Sequence, residues 1–108
     1  MKHFAIASLL VLAACGQASA PATYPPAAEL AFQRSCQASA RRAAGPNVEQ
    51  AALTGYCSCV WGRIRAEIPY AEFEAYERMS PGERPASATQ QKFVEFAAAC
   101  APQQQPKP

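Results

Sequence analysis

Apolar positions follow two different rules along this chain. From Phe4 to Ala14 they form a nearly unbroken run, preceded by the positive Lys2. About eleven such residues are too few to cross a bilayer as a helix, which needs about 20, so the segment reads as a secretory signal. Residues 15–26 show no apolar period and are rich in Ala and Pro. They read as a flexible tether, partly stiffened by Pro21, Pro25 and Pro26. From 27 to 101 the apolar residues recur at three- and four-residue spacings, which predicts helices. The final stretch, 102–108, is a Pro- and Gln-rich tail expected to be disordered.

The helical region divides at its breakers. A first helix is predicted over 27–44, with Leu30, Phe32, Cys36 and Ala40 or Ala43 facing the core, and with Gly45 and Pro46 ending it. Arg41 and Arg42 fall in its last turn, where they complement the helix dipole and face solvent. A second helix starts from Asn47 as N-cap, with Gln50 three residues on, and runs to Glu67 before Pro69. Leu53, Cys57, Val60 and Ile64 form its apolar stripe. Gly55, Ser58, Cys59, Gly62 and Ala66 form a second face of small residues, suited to a close helix approach. A short third helix covers 70–79, between Pro69 and Ser80-Pro81-Gly82. A fourth opens at Ser87, with Gln90 completing a capping box, and ends at Ala101. Phe93, Phe96, Ala97 and Cys100 share its buried face. Strand-like alternation and internal repeats are absent from the sequence. The predicted fold is all-α, a small bundle of three to four helices over 27–101, stapled by disulfides.

Five cysteines are a heavy load for 108 residues. Removal of the signal takes Cys15 out of the fold and leaves Cys36, Cys57, Cys59 and Cys100, an even set that implies two bridges in an exported chain. Cys57 and Cys59 lie two residues apart on one helix and so point about 200° apart. A bridge between them would break the helix and close a strained ring. Each must therefore reach a different neighbour, which makes the second helix the middle element. With the first turn centred near Gly45-Pro46, Cys36 falls level with about residue 56. Cys57 is then about 1.5 Å of rise away and Cys59 about 4.5 Å. The register predicts Cys36–Cys57 and Cys59–Cys100.

Charge and composition exclude more than they assign. Ten Lys and Arg against eight Asp and Glu give a formal charge of +2, which argues against a nucleic-acid partner. The chain has no Asp, and its one His is His3, inside the signal. Ser-His-Asp and Cys-His catalysis, histidine zinc sites and histidine switches are thereby removed. Glu72, Glu74 and Glu77, beside Tyr70 and Tyr76, are the one carboxylate cluster and read as a solvated helix face. Trp61 with Arg63 and Arg65 could meet an anionic glycan or lipid headgroup, but reads first as a packed Trp beside two solvated cations. Tyr70, Phe73 and Tyr76 could stack on sugar rings, but their spacing suits a core. No catalytic residue, metal site or cofactor is expected. Cys57-Ser58-Cys59 offers the alternative of a thiol redox or soft-metal module. An enzyme working with Glu, Tyr, Ser and Arg alone is the least favoured reading.

Leu12-Ala13-Ala14-Cys15 resembles the lipobox of bacterial lipoproteins. The resemblance implies acylation of Cys15, palmitate included, and a mature chain that begins there. The competing cut after Ala18-Ser19-Ala20 places Pro21 next to the scissile bond, where signal peptidase tolerates it poorly. Gly16 stands where enteric lipoproteins retained in the inner membrane carry Asp, so the resemblance implies an envelope protein facing the periplasm, at the outer membrane rather than the inner. Several acyl chains together give stable attachment. The run 52–68, with Tyr56-Cys57-Ser58-Cys59-Val60, flanked by Cys36 and Cys100, is similar to small helical cysteine-containing exported proteins of proteobacteria. No activity comes with that similarity. The expected function is a non-enzymatic, membrane-anchored envelope lipoprotein that presents a helical surface to a protein or cell-wall glycan partner.

Overall fold

A computed structural model describes residues 23–101. The signal, Cys15, most of the tether and the 102–108 tail lie outside the described residues. The described part is all-α. Its helices are α1 (Pro26–Ala44), α2 (Gln50–Glu67), α3 (Tyr70–Arg78) and α4 (Ala88–Cys100), with a 3₁₀ turn at Arg84–Ala86 before the last.

Local chemistry sets the boundaries. Pro26 opens α1, a position where a missing N–H costs nothing. Gly45 closes it at φ 97°, a left-handed backbone that other residues rarely adopt, while its N–H bonds Arg41 O at 2.9 Å. The start of α2 differs from expectation. Its N-cap is Glu49, in extended backbone without a side-chain cap bond, and Pro46 and Asn47 are used up in the preceding turn. Pro69 separates α2 from α3, so Ile68 closes α2 with its N–H on Ile64 O. Ser87 caps α4 as predicted, accepting from the Gln90 N–H at 3.0 Å. The reciprocal half of the box is missing, because the Gln90 side-chain oxygen accepts from the Tyr76 hydroxyl and Ser87 N–H goes to Arg84 O.

The central helix is α2. Leu53, Cys57, Val60 and Ile64 are buried along it, together with Trp61. Antiparallel α1 lies on one side, joined through Cys36–Cys57 with Cα atoms 5.9 Å apart. Antiparallel α4 lies on the other, joined through Cys59–Cys100 at 5.8 Å, and the Lys92 ammonium reaches Glu67 O from the same register. Both pairings are those that helical register predicts. The small-residue face is not what allows the second approach: Gly62 is exposed, with open space where a Cβ would stand. Leu30, expected in the core, is 54% exposed, and Ala43 is exposed too. Within α1 the inward line is Ala28, Phe32, Cys36 and Ala40, at four-residue steps.

Tyr24 is the larger departure. Read from sequence as tether, it packs on the core, its ring 5.1 Å from Trp61, 5.0 Å from Tyr70 and 5.4 Å from Phe73. Its hydroxyl donates to Ile68 O at 2.7 Å, satisfying a carbonyl that the helix end leaves free. The folded body therefore includes Tyr24.

Candidate functional site

Because α1 and α4 flank α2 while α3 is only nine residues long, α1 and α3 do not close against each other. A groove runs between them. One stretch, about 540 Å³, has Tyr56, Val60 and Ile64 of α2 as its floor. Cys36, Ala40 and Ala43 wall it on one side, and Tyr76, Phe93 and Ala97 on the other. A second stretch, about 470 Å³, continues it past Phe32 and Phe73 to Ala28 and Tyr70. The floor is apolar and α1 lines it with small residues, while Ser35, Ser39, Glu74, Glu77, Arg78 and Arg84 make the rim polar.

Arg84 shapes one wall, and nothing in the sequence singles it out. Its guanidinium donates to Tyr76 O at 3.2 Å and Glu77 O at 2.8 Å, the last carbonyls of α3, and lies 5.1 Å from the Tyr76 ring centre. A cation at a helix C-terminus complements the dipole, and here it also satisfies Glu77 O, while Tyr76 O already accepts from the Met79 N–H. The phenol of Tyr76 is pushed above its ordinary range by burial, against the opposing pull of Arg84 and with Glu77 adding to the rise. Tyr24 is pushed up to about 12, first by burial, then by the Glu72 and Tyr70 groups near it. Tyr70 rises by partial desolvation and the Glu74 charge.

The other sequence candidates fall into place around the core. Trp61 is buried at 3% exposure, stacked on Phe32 at 5.1 Å, with an indole N–H that has no hydrogen-bond partner. Arg63 and Arg65 are exposed, and Arg63 pairs with Glu67 at 3.6 Å. Phe73 and Tyr76 are buried, so of the proposed sugar-stacking set only Tyr70 shows a partly free face. Glu72 and Glu77 are exposed and Glu74 half-exposed, spread along α3 rather than converging. Arg41 and Arg42 are exposed as read. Arg41 also joins a polar seam, donating to Gln50 at 2.6 Å while Gln50 donates to Gln37 at 2.7 Å. Cys57 and Cys59 are bonded to different partners, so neither sulfur is a thiolate in this fold. Among the described residues no group of three or more His, Cys, Asp or Glu is placed to hold a metal ion. Nor is any described helix long and apolar enough to cross a membrane.

The class these features define is a disulfide-stapled all-α bundle with an apolar groove between its first and third helices. No family model, curated protein or solved structure matches the chain.

Proposed function

We propose that this protein is a lipid-anchored, non-enzymatic envelope lipoprotein that offers the α1–α3 groove to an apolar helical segment of a protein partner. The observation that carries this reading is the groove itself, a space of about 540 Å³ with an apolar floor that the described helices leave open. A helix laid into such a groove buries its apolar face in the way helix-in-groove complexes do. A glycan partner is less well supported, because Trp61 and Phe73 pack on each other and Tyr76 packs on Phe93, which leaves all three rings buried. For a catalytic reading, the titratable groups among the described residues are spread along α3 rather than converging.

The test is site-specific photo-crosslinking in the native envelope. A photoreactive side chain at Ser39, on the groove edge, should give one discrete adduct. The same group at Arg34, exposed and outside the groove lining, should give none. Equal labelling from both positions, or none from Ser39, defeats the proposal. The thiol reading is separated by intact mass after alkylation without reduction: no added mass is expected, and two alkylated cysteines per chain would reinstate Cys57 and Cys59 as working groups. Palmitate labelling should disappear in Cys15→Ala, and its persistence would refute acylation at that residue.

A further inference from the structure

We propose that Cys36–Cys57 is a redox latch on the groove. A dithiol reductant reaches it at the Cys36 sulfur, opens it before Cys59–Cys100, and frees the α1 wall without unfolding the bundle. The choice of bridge stands on the fold alone. Its consequence for docking rests on the groove function proposed above and names how that groove is regulated.

Each bridge pairs a half-buried cysteine with a buried one. Cys36 and Cys59 are half-buried, whereas Cys57 and Cys100 are fully buried. Burial of the leaving sulfur therefore slows exchange at both bridges alike and does not choose between them. Their surroundings differ. Cys100 belongs to the core cluster with Val60, Trp61 and Phe96, and Cys59 packs against it. Neither Cys36 nor Cys57 is part of that cluster. Cys36 instead lines the groove of about 540 Å³, beside Ser39, Ala40 and Tyr56. Cys59 and Cys100 line neither stretch of the groove. A thiolate must touch the sulfur it attacks, so this difference in access sets the order of reduction.

The reductant's thiolate attacks Cys36 Sγ and forms a mixed disulfide. The Cys36–Cys57 bond breaks, and Cys57 leaves as a thiolate that takes up a proton. The reductant's second thiol, having lost its proton, attacks its own sulfur in the mixed disulfide and releases Cys36, which is protonated in turn. The dithiol ends as a cyclic disulfide, and its two electrons and two protons have passed to Cys36 and Cys57.

The packing of α1 makes the effect local. Ala40 is the one buried residue of α1, and an alanine contributes little apolar area. The second half of the helix is therefore held to α2 by the bridge and by the exposed hydrogen bonds of Gln37, Arg41 and Gln50. The first half is held separately, by Phe32 stacked on Trp61. Opening the bridge releases the Ala40 and Ala43 wall, so the groove loses one side while the aromatic cluster stays packed.

The experiment exposes folded full-length protein to limiting dithiothreitol and traps free thiols with N-ethylmaleimide. Peptide mass spectrometry then reads each cysteine. Cys36 should be labelled about tenfold faster than Cys100, or more, with the far-UV circular dichroism of the helices retained when Cys36 has fully reacted. Cys100 labelled at an equal or greater rate overturns the latch, and so does loss of the helical signal as Cys36 reacts. In Cys36→Ser/Cys57→Ser, with its helical signal retained, the photo-adduct from Ser39 should disappear. An adduct of wild-type yield in that variant overturns the control of docking. Wild-type protein that gives no Ser39 adduct defeats the docking function instead, and the order of labelling still decides the latch.

Discussion

The two ends of this bundle are held together by different physics. At the Tyr24 end, Trp61, Ile64, Ile68, Phe73 and Phe96 form one buried cluster, with Tyr24, Phe32, Tyr70 and Phe93 packed against it. At the 45–49 turn end α1 and α2 run past the last residue of α4, and the buried residues there are Ala40, Leu53 and Cys57, none of them part of that cluster. Aromatic side chains bury 150–250 Å² each in general, so the first end can be stabilised by area. Alanine cannot supply that area, and the second end substitutes a covalent link, Cys36–Cys57, together with an exposed seam of Gln37, Arg41 and Gln50. A small body with limited core can gather its aromatic residues at one end and cross-link the other, while its second bridge, Cys59–Cys100, belongs to the core cluster itself.

The largest effect should come from breaking the cross-links. In the chain-entropy model, loops of 21 and 41 residues contribute about 3 and about 4 kcal/mol. Their combined loss is comparable with the whole stability of a small domain. Full reduction should unfold the protein at room temperature, read by far-UV circular dichroism. Cys59→Ser alone should lower Tm by well over 10 °C, and an unchanged melt would mean that the bridge is not structural. The comparison is sharpened by Cys36→Ser/Cys57→Ser. Amide exchange should then accelerate first in 36–57, while 60–76 stays protected. Uniform acceleration would show that the two ends unfold as one unit.

Trp61→Ala strikes the other end. Deleting a buried Trp costs about 3–5 kcal/mol, and here it also leaves Tyr24, Phe32 and Phe73 facing a void. Trp61→Phe should cost far less, since it keeps a ring in place and deletes the indole N–H that lacks a partner. Equal losses for the two variants in a denaturant titration would mean that ring packing is not what holds this end.

Most of the fold is written in short-range signals. Gly45, Pro69 and Ser87 each fix a boundary by local backbone chemistry, and three- and four-residue spacing does the rest. The bridges follow from register because Cys57 and Cys59 must point to opposite sides of α2. The misreadings are non-local. Tyr24 stands alone among Pro, Ala and Thr, with no period to mark it, and its partner Ile68 is 44 residues away. Leu30 is two positions from both Ala28 and Phe32, about 200° around the helix from each, so its apolar character could not place it inside. The groove is invisible in sequence for the same reason. It exists because α3 is short and Arg84 folds back over Tyr76, and neither fact follows from the pattern of any one helix.

The N-cap of α4 gives a smaller test on the aromatic side. Ser87→Ala removes the acceptor for the Gln90 N–H and should cost about 1 kcal/mol. Because Gln90 holds the Tyr76 hydroxyl, loosening this turn should also raise amide exchange around Tyr76. Ser87→Asp should restore most of the loss, and a helix equally stable with Ala or Asp would show that the cap contributes nothing.

The smallest effect is also the one with a pH signature. Tyr24→Phe deletes the bond to Ile68 O and should cost about 1 kcal/mol near neutrality, with the ring contacts kept. The buried form of Tyr24 is the neutral phenol, and its folded pKa of about 12 lies above the ordinary 10.0. A raised folded pKa means that the unfolded chain loses its proton first. The stability contributed by the neutral phenol is therefore complete below pH 10.0 and is lost as pH climbs through about 12. Denaturant titrations from about pH 9 to about pH 11 should show wild type losing stability faster than Tyr24→Phe, so that the gap between them narrows. Tyr76, also raised, titrates in both proteins and cancels in the difference. A gap that stays constant over that range would mean that the Tyr24 hydroxyl is equally solvated in the folded and unfolded chains, and that the buried aromatic end stops short of it.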